Sequence, residues 1–491
     1  MTGDENVTDV PIAAAGSTVV VLPSQDDAFV TTASGAVGGP AGRRVAADSG
    51  WFTALRVILV LTTLTFGLGL VLKNPCSSNG WTKGNQYTHA CYSDIGFLYR
   101  DRGLANGGSP YASKDPAQQL EYPVVTGGVM YVAARLVNGN GTMPDRMRRF
   151  YDVTAMFLLL AALGAAWATA KTHRRRPWDA AMFALAPGLL FAATINWDLI
   201  AVAFTAGAML AWSRSRPVLS GALLGLAVAA KFYPVLLLGP LFLLCLRGGK
   251  LRDFVRTAVS GVVVWAAVNL PVYLAWPDGW KRFYLFSTQR SWDYGSFWYA
   301  LDLRNHPVPR DRLNSIAGLT FFLLCVGIAA LAMCARRRPR LPQLAFLVVA
   351  AFLLTNKVYS PQFVLWLVPL AVLARPRWRD FLIWQACEVV YFFSVWWFLQ
   401  SLVHADRALP ADWYAGAIFV HLIGTAYFAG MVVRDILRPA DDPIRAESPD
   451  VDDPAGGPLD HAPDVFTLRP RDHVGGAHEQ GAGAEPQPAP V

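Results

Sequence analysis

Between residues 54 and 433 the chain carries twelve apolar runs, and every second one ends in a cluster of arginine or lysine. The runs lie near 54–72, 150–170, 179–195, 199–213, 217–231, 233–246, 255–275, 314–334, 342–356, 361–374, 380–400 and 413–433. A helix crossing the hydrocarbon core needs about 20 apolar residues. Lysine and arginine resist translocation, so in short loops they collect on the cytoplasmic side. Lys171, Arg174, Arg175 and Arg176 follow the second run, Arg214 and Arg216 the fourth, and Arg247, Lys250 and Arg252 the sixth. Arg336, Arg337, Arg338 and Arg340 follow the eighth, Arg375, Arg377 and Arg379 the tenth, and Arg434 and Arg438 the twelfth. This pattern predicts an all-α, polytopic transmembrane helical bundle of about 12 spans in the cytoplasmic (plasma) membrane. Both termini and the basic loops are expected inside, the alternate loops outside. Several runs fall short of a full crossing, so either their boundaries lie elsewhere or the helices are broken there.

Composition agrees. With 54% hydrophobic and 16% charged residues and a mean hydropathy of +0.32, the chain is too apolar for an ordinary soluble enzyme of 491 residues. The net charge of +8 is uneven: residues 51–433 hold 36 Lys+Arg against 17 Asp+Glu. That surplus sets topology or faces lipid head groups and phosphate; no nucleic-acid partner is expected. The first run starts near Ala54, behind a polar leader unlike a cleaved secretory signal. Residues 1–50 and 434–491 are rich in Pro, Gly, Ala and Asp, with twelve acids against five basic residues in the second stretch. They are expected to be disordered cytoplasmic tails around a transmembrane domain at 51–433.

The segment Tyr122 to Val137 is apolar enough to span, yet counting it would invert every later loop, so it is laid on the membrane surface. Ser93 to Leu104, with Ile95, Leu98 and Tyr99 at helical spacing, suits a second interfacial helix. The first outer loop, about 73–149, would then hold two juxtamembrane helices. A second outer loop, about 277–313, is rich in Trp, Tyr, Arg and Asp.

Cys76 and Cys91, with fourteen residues between them, fall on the oxidising side. A disulfide there would pin the start of the helix carrying Asp94 and add roughly 3 kcal/mol by chain entropy; two free thiols are the alternative. The remaining cysteines, Cys245, Cys325, Cys334 and Cys387, read as packing residues, and no Cys/His spacing suggests a metal site. Asp94, at a helix start on the interface, is either a general base for a polarised hydroxyl or a capping and dipole partner. Three outer turns share its side: Asn196-Trp197-Asp198, Lys231 to Pro234, and Asn356 to Gln362, which includes Lys357, Tyr359 and Gln362. Lys231 and Lys357 have no acid beside them in sequence. They read as a phosphate clamp or as snorkelling anchors.

The strings YSDIGFLYRDRGLANGGSPY (92–111), EYPVVTGGVMYV (121–132), INWDLIAVA (195–203), GLAVAAKFYPVLLLGPL (225–241) and NKVYSPQFVLWLVPL (356–370) together resemble the actinobacterial branch of glycosyltransferase family 87. The resemblance implies a GT-C type membrane transferase, similar to mannosyltransferases that use polyprenyl-phosphate sugars outside the cytoplasmic membrane. It implies Asp94 as the base, taking a proton from an acceptor hydroxyl as that oxygen attacks the anomeric carbon in a single inverting displacement. Lys231 and Lys357 would stabilise the leaving phosphate. Ser93 stands where many GT-C relatives have a second acid, so neither metal nor other cofactor is expected. Arg290, Arg304 and His306 are candidates for acceptor or phosphate. The aromatics Trp292, Tyr294, Trp298 and Tyr299 either stack on sugars or mark the interface, and Tyr122 shapes the surface helix. The expected partners are membrane lipid, the lipid-linked donor, and a glycolipid, polysaccharide or protein acceptor. A transporter or flippase of lipid-linked sugars would need similar features, and a non-catalytic partner in envelope assembly is a third reading.

Overall fold

The computed structural model describes residues 20–22, 26–42, 52–137, 139–448 and 451–468. Among them the regular structure is entirely helical. The helices that position the cavity are α1 (Ala54–Ser77), α2 (Asp94–Asp101), α3 (Val124–Leu136), α4 (Met143–Thr172), α5 (Asp198–Ser213), α6 (Pro217–Ala230), α7 (Leu238–Arg247), α8 (Leu251–Ala275), α9 (Pro277–Gln289), α10 (Phe297–Leu303), α11 (Arg310–Cys334), α12 (Leu341–Thr355), α13 (Val364–Ala374), α14 (Trp378–Leu399) and α15 (Ala411–Leu437). Among the described residues six are long and apolar enough to cross a membrane: α1, α4, α8, α11, α14 with its short extension, and α15. The chain is a multi-pass membrane protein.

Local chemistry explains where these helices start. Thr53 accepts a hydrogen bond from the Arg56 amide at the head of α1, and Thr142 with Asp145 closes a capping box at the head of α4. Pro217 and Pro342 open α6 and α12, where the missing amide would have no helical partner anyway. Each of the twelve apolar runs contains helix, but the third is broken into Pro177–Ala180, Ala181–Ala184 and Pro187–Ala192. Pro187 interrupts the ladder there, and the freed amide of Gly188 donates to the Gln385 side chain at 2.9 Å. Small residues set the contact between α6 and α8: a Cβ on Gly221 would meet the Thr257 carbonyl oxygen at 2.0 Å.

The short helices run between the same two ends of the bundle. Helix α5 leads from Asp198 to Arg214, α6 from Arg216 to Lys231, α12 from Arg340 to Asn356, and α13 from just after Gln362 to Arg375. At one end the arginines converge. Arg340, fully buried, donates to the Leu373 and Ala374 carbonyls and pairs with Asp442 at 2.8 Å. Arg375 pairs with Asp380 at 2.7 Å and with Asp435.

Here the tails differ from expectation. Residues 438–448 and 451–468 lie across this basic end as a strap: Glu447 pairs with Arg176, Asp452 with Arg337 at 2.9 Å, and Asp464 with Arg247 at 2.6 Å and Arg338 at 3.2 Å. Ile444 and Leu459 are buried beneath it. From the N-terminal side Asp26 also pairs with Arg176. The compositional argument counted apolar area and overlooked that these acids have buried guanidinium partners. The expectation of disorder for residues 1–19, 23–25, 43–51, 449–450 and 469–491 falls outside the described residues.

Candidate active site

At the opposite end from the arginines a cavity of about 730 Å³ opens among α2, α9, the three polar turns and α14. Asp94, Asn196, Lys231, Arg290, Lys357 and Gln362 line it. These six were singled out from separate stretches of sequence, and folding brings them to one space.

Asp94 is held by its backbone, and its side chain is released from capping. Cys76 and Cys91 form a disulfide, with Cα atoms 6.0 Å apart. The Trp81 indole donates to the Cys91 carbonyl at 3.0 Å, and the Asp94 amide donates to the Ile195 carbonyl at 2.8 Å. The cap of α2 is Ser93, whose hydroxyl accepts from the Ile95 amide and donates to the Thr194 carbonyl at 2.7 Å. Asp94 is therefore not needed as the cap. Its carboxylate accepts instead from the Tyr92 hydroxyl at 2.8 Å and the Asn196 amide at 3.0 Å. Burial pushes its pKa above the usual carboxylate range, against those two hydrogen bonds and the charge of Lys231.

Lys231 and Lys357, alike in sequence, sit in different settings. Lys231 does have an acid, 33 residues away along the chain: its ammonium is 3.2 Å from Asp198, which also accepts from the Trp366 indole at 2.6 Å. It lies 5.2 Å from the centre of the Tyr122 ring, so Tyr122 is a cavity wall as well as the lead into α3. Lys357 donates to the Thr288 carbonyl at 3.0 Å and the Asn314 side chain at 2.7 Å. Among the described residues it makes no ion pair. Burial first, and then the nearby Arg290 charge, depress its pKa.

Other expected residues divide. Arg290 lines the cavity, 3.6 Å from Asp293. Arg304 is exposed with Asp412 at 3.5 Å, and His306 is exposed too; neither lines the cavity. Tyr359 is fully buried and points away, its hydroxyl 3.3 Å from Glu388 and 3.0 Å from Thr425. Of the loop aromatics, Tyr294 faces the cavity, while Trp298 is buried and donates to the Thr355 carbonyl at 2.9 Å. Asp293 was missed. Its amide donates to the Lys357 carbonyl at 2.7 Å and its carboxylate accepts from Ser360, which ties the second outer loop to the Asn356–Gln362 turn. Its sequence signal was weak, one acid in a loop already rich in them. Among the described residues no three His, Cys, Asp or Glu side chains cluster as a metal site requires.

The polar residues of the cavity wall from Asn196 through Lys231 to Arg290 fall within a stretch that matches a known family. Residues 141–355 match the model of glycosyltransferase family 87. The resemblance drawn from the sequence holds over that stretch, which stops short of Asp94 on one side and Lys357 on the other. No curated protein matches the chain. Among solved structures it is similar to ArnT from Cupriavidus metallidurans, crystallised with undecaprenyl phosphate, at 16% identity over 77% of this chain and 78% of that one, with a TM-score of 0.40. The family 87 match thus covers the Lys231–Asp198 pair and Arg290, and the first-loop base candidate lies outside it.

Proposed function

We propose that this protein is an integral membrane glycosyltransferase that moves a hexose, with mannose the expected sugar, from a polyprenyl-phosphate donor to an extracytoplasmic glycolipid, polysaccharide or protein. The observation that carries the reading is Asp94: a carboxylate relieved of capping, aimed into a cavity that also holds Lys231, Lys357 and Arg290.

Asp94 takes the proton of the acceptor hydroxyl while that oxygen attacks the anomeric carbon. The bond from that carbon to the phosphate oxygen breaks on the opposite face, inverting the configuration. Negative charge gathers on the departing polyprenyl phosphate, and Lys357 with Arg290 is the pair placed to meet it, since no carboxylate fully balances the two. Lys231, matched by Asp198, is a wall charge that favours the ionised form of Asp94. Asn196 and Gln362 supply hydrogen bonds at the same wall. Apolar lining from Phe283, Phe286, Val395 and Leu399 suits the first isoprene units of a lipid whose tail lies in the bilayer.

Twelve crossings, cytoplasmic termini and an outward-facing cavity complete the proposal. The alternation of basic loops and the disulfide beside Asp94 support that orientation. Membranes containing the protein should transfer labelled sugar from polyprenyl-phosphate mannose, and Asp94→Asn should abolish transfer at unchanged protein abundance. Transfer that survives Asp94→Asn removes the mechanism, and lipid-linked sugar movement without transfer would make the protein a flippase.

A further inference from the structure

Lys73 lies on α1, three residues before Cys76, and only 2% of it is exposed. A lysine near the end of a span ordinarily stretches its amine to the head groups. This one turns inward. Its ammonium donates to the Tyr92 carbonyl at 2.9 Å and rests 5.4 Å from the centre of the Phe392 ring. Among the described residues it makes no ion pair, and Asp94 is the carboxylate whose charge reaches it.

Tyr92 connects the two. Its ring stacks on Trp396 at 4.8 Å and Phe97 at 5.8 Å, and its hydroxyl donates to Asp94 at 2.8 Å. Lys73 thus fastens the backbone of the residue that aims at the carboxylate, from a position shielded from water. A neutral donor would fasten the carbonyl equally well. A charge adds what a neutral donor lacks, a field favouring the ionised carboxylate.

We propose that Lys73 is a positioning residue for the transfer reaction, acting through Tyr92 to orient Asp94 and, in its protonated form, favouring the ionised carboxylate. This rests on Asp94 being the base. The other groups facing Asp94 are Tyr92 and Asn196 by hydrogen bond, Lys231 as a second favourable charge, Asp198 as an opposing one, and the Tyr87 and Tyr122 hydroxyls.

The test is a pH profile of transfer from labelled polyprenyl-phosphate mannose by membranes carrying the full chain with Lys73→Met, Lys73→Gln or Lys73→Arg. Lys73→Met should lower kcat by about tenfold to a hundredfold with donor KM nearly unchanged. Its acidic limb should move up by roughly one pH unit. Lys73→Gln, which can still donate to the Tyr92 carbonyl, should show the same displacement with a smaller drop in kcat, and it decides the matter if Lys73→Met does not accumulate. Lys73→Arg should return the limb toward the wild-type position. An unmoved limb in both neutral variants, or a loss in Lys73→Arg equal to that in Lys73→Met, overturns the proposal. Should Asp94→Asn retain transfer, the base assignment falls and takes this inference with it. If Asp94→Asn is inactive and the Lys73 limb is unmoved, this inference alone fails.

Discussion

Arg340 at one end of the bundle and Lys357 at the other are both cations at the head or tail of α12, and their surroundings differ. Arg340 is fully buried, with Asp442 on its guanidinium and two backbone carbonyls taking the remaining donors. Lys357 donates to one carbonyl and one amide oxygen, with another cation, Arg290, for a neighbour. The contrast extends beyond the pair. Arg176, Arg247, Arg337 and Arg338 each have a carboxylate from the strap, whereas the cavity end leaves charge available to something that is not protein. Under the proposed function, a cation that serves the fold is matched by its own chain's carboxylates, and one that serves the substrate is left with neutral acceptors.

The comparison breaks most readily at the cavity. Replacing Lys357 by Met should cost about a hundredfold to a thousandfold in transfer rate, the usual loss on removing one charge-stabilising donor, with the thermal transition of the detergent-solubilised protein hardly moved. A large stability loss with normal turnover per folded molecule would put Lys357 in the same category as Arg340. The opposite signature is expected for Asp442→Asn, which leaves the buried Arg340 without its counter-charge: stability should fall by about 3–5 kcal/mol, read as a lowered unfolding temperature, while kcat per folded molecule stays near wild type.

Smaller effects sharpen the picture. Reducing the Cys76–Cys91 bridge frees a loop whose closure is worth roughly 3 kcal/mol, so transfer should decline under reductant and return on reoxidation. The pH dependence has a definite sign. Asp94 must be ionised to accept a proton and burial raises its pKa, so transfer should fall with decreasing pH along a limb lying above the ordinary aspartate value of about 4. A limb at or below that value would mean that another group limits the rate. Least of all, Arg304→Ala, at an exposed position outside the cavity lining, should change neither transfer nor stability by more than about 1 kcal/mol.

Much of this was legible in the sequence because it depends on local pattern. Apolar runs of fixed length flanked by charge identify helices without tertiary knowledge, and the twelve runs all contain helix. Asp94, Asn196, Lys231, Arg290, Lys357 and Gln362 line one cavity because polar residues in the loops and turns on one side of a bilayer have little room to separate. What escaped depends on pairing at a distance. Asp198 reaches Lys231 across a full helical hairpin, and Asp442 meets Arg340 across 102 residues. Arg304 and His306 carried suitable chemistry in the second outer loop, yet both follow the last residue of α10 and are exposed, outside the cavity lining. Lys73 was hidden by its position, where snorkelling is the ordinary habit.

The strap has a consequence in time. Ribosomes make the acids Asp442, Glu447, Asp452 and Asp464 after every apolar run has been synthesised, so the guanidinium groups of the earlier loops are still bare of these acids while the helices are being threaded into the bilayer. Whatever reads their charge to orient the nascent chain meets it at nearly full strength, and cancellation comes last, when it fastens an arrangement already chosen.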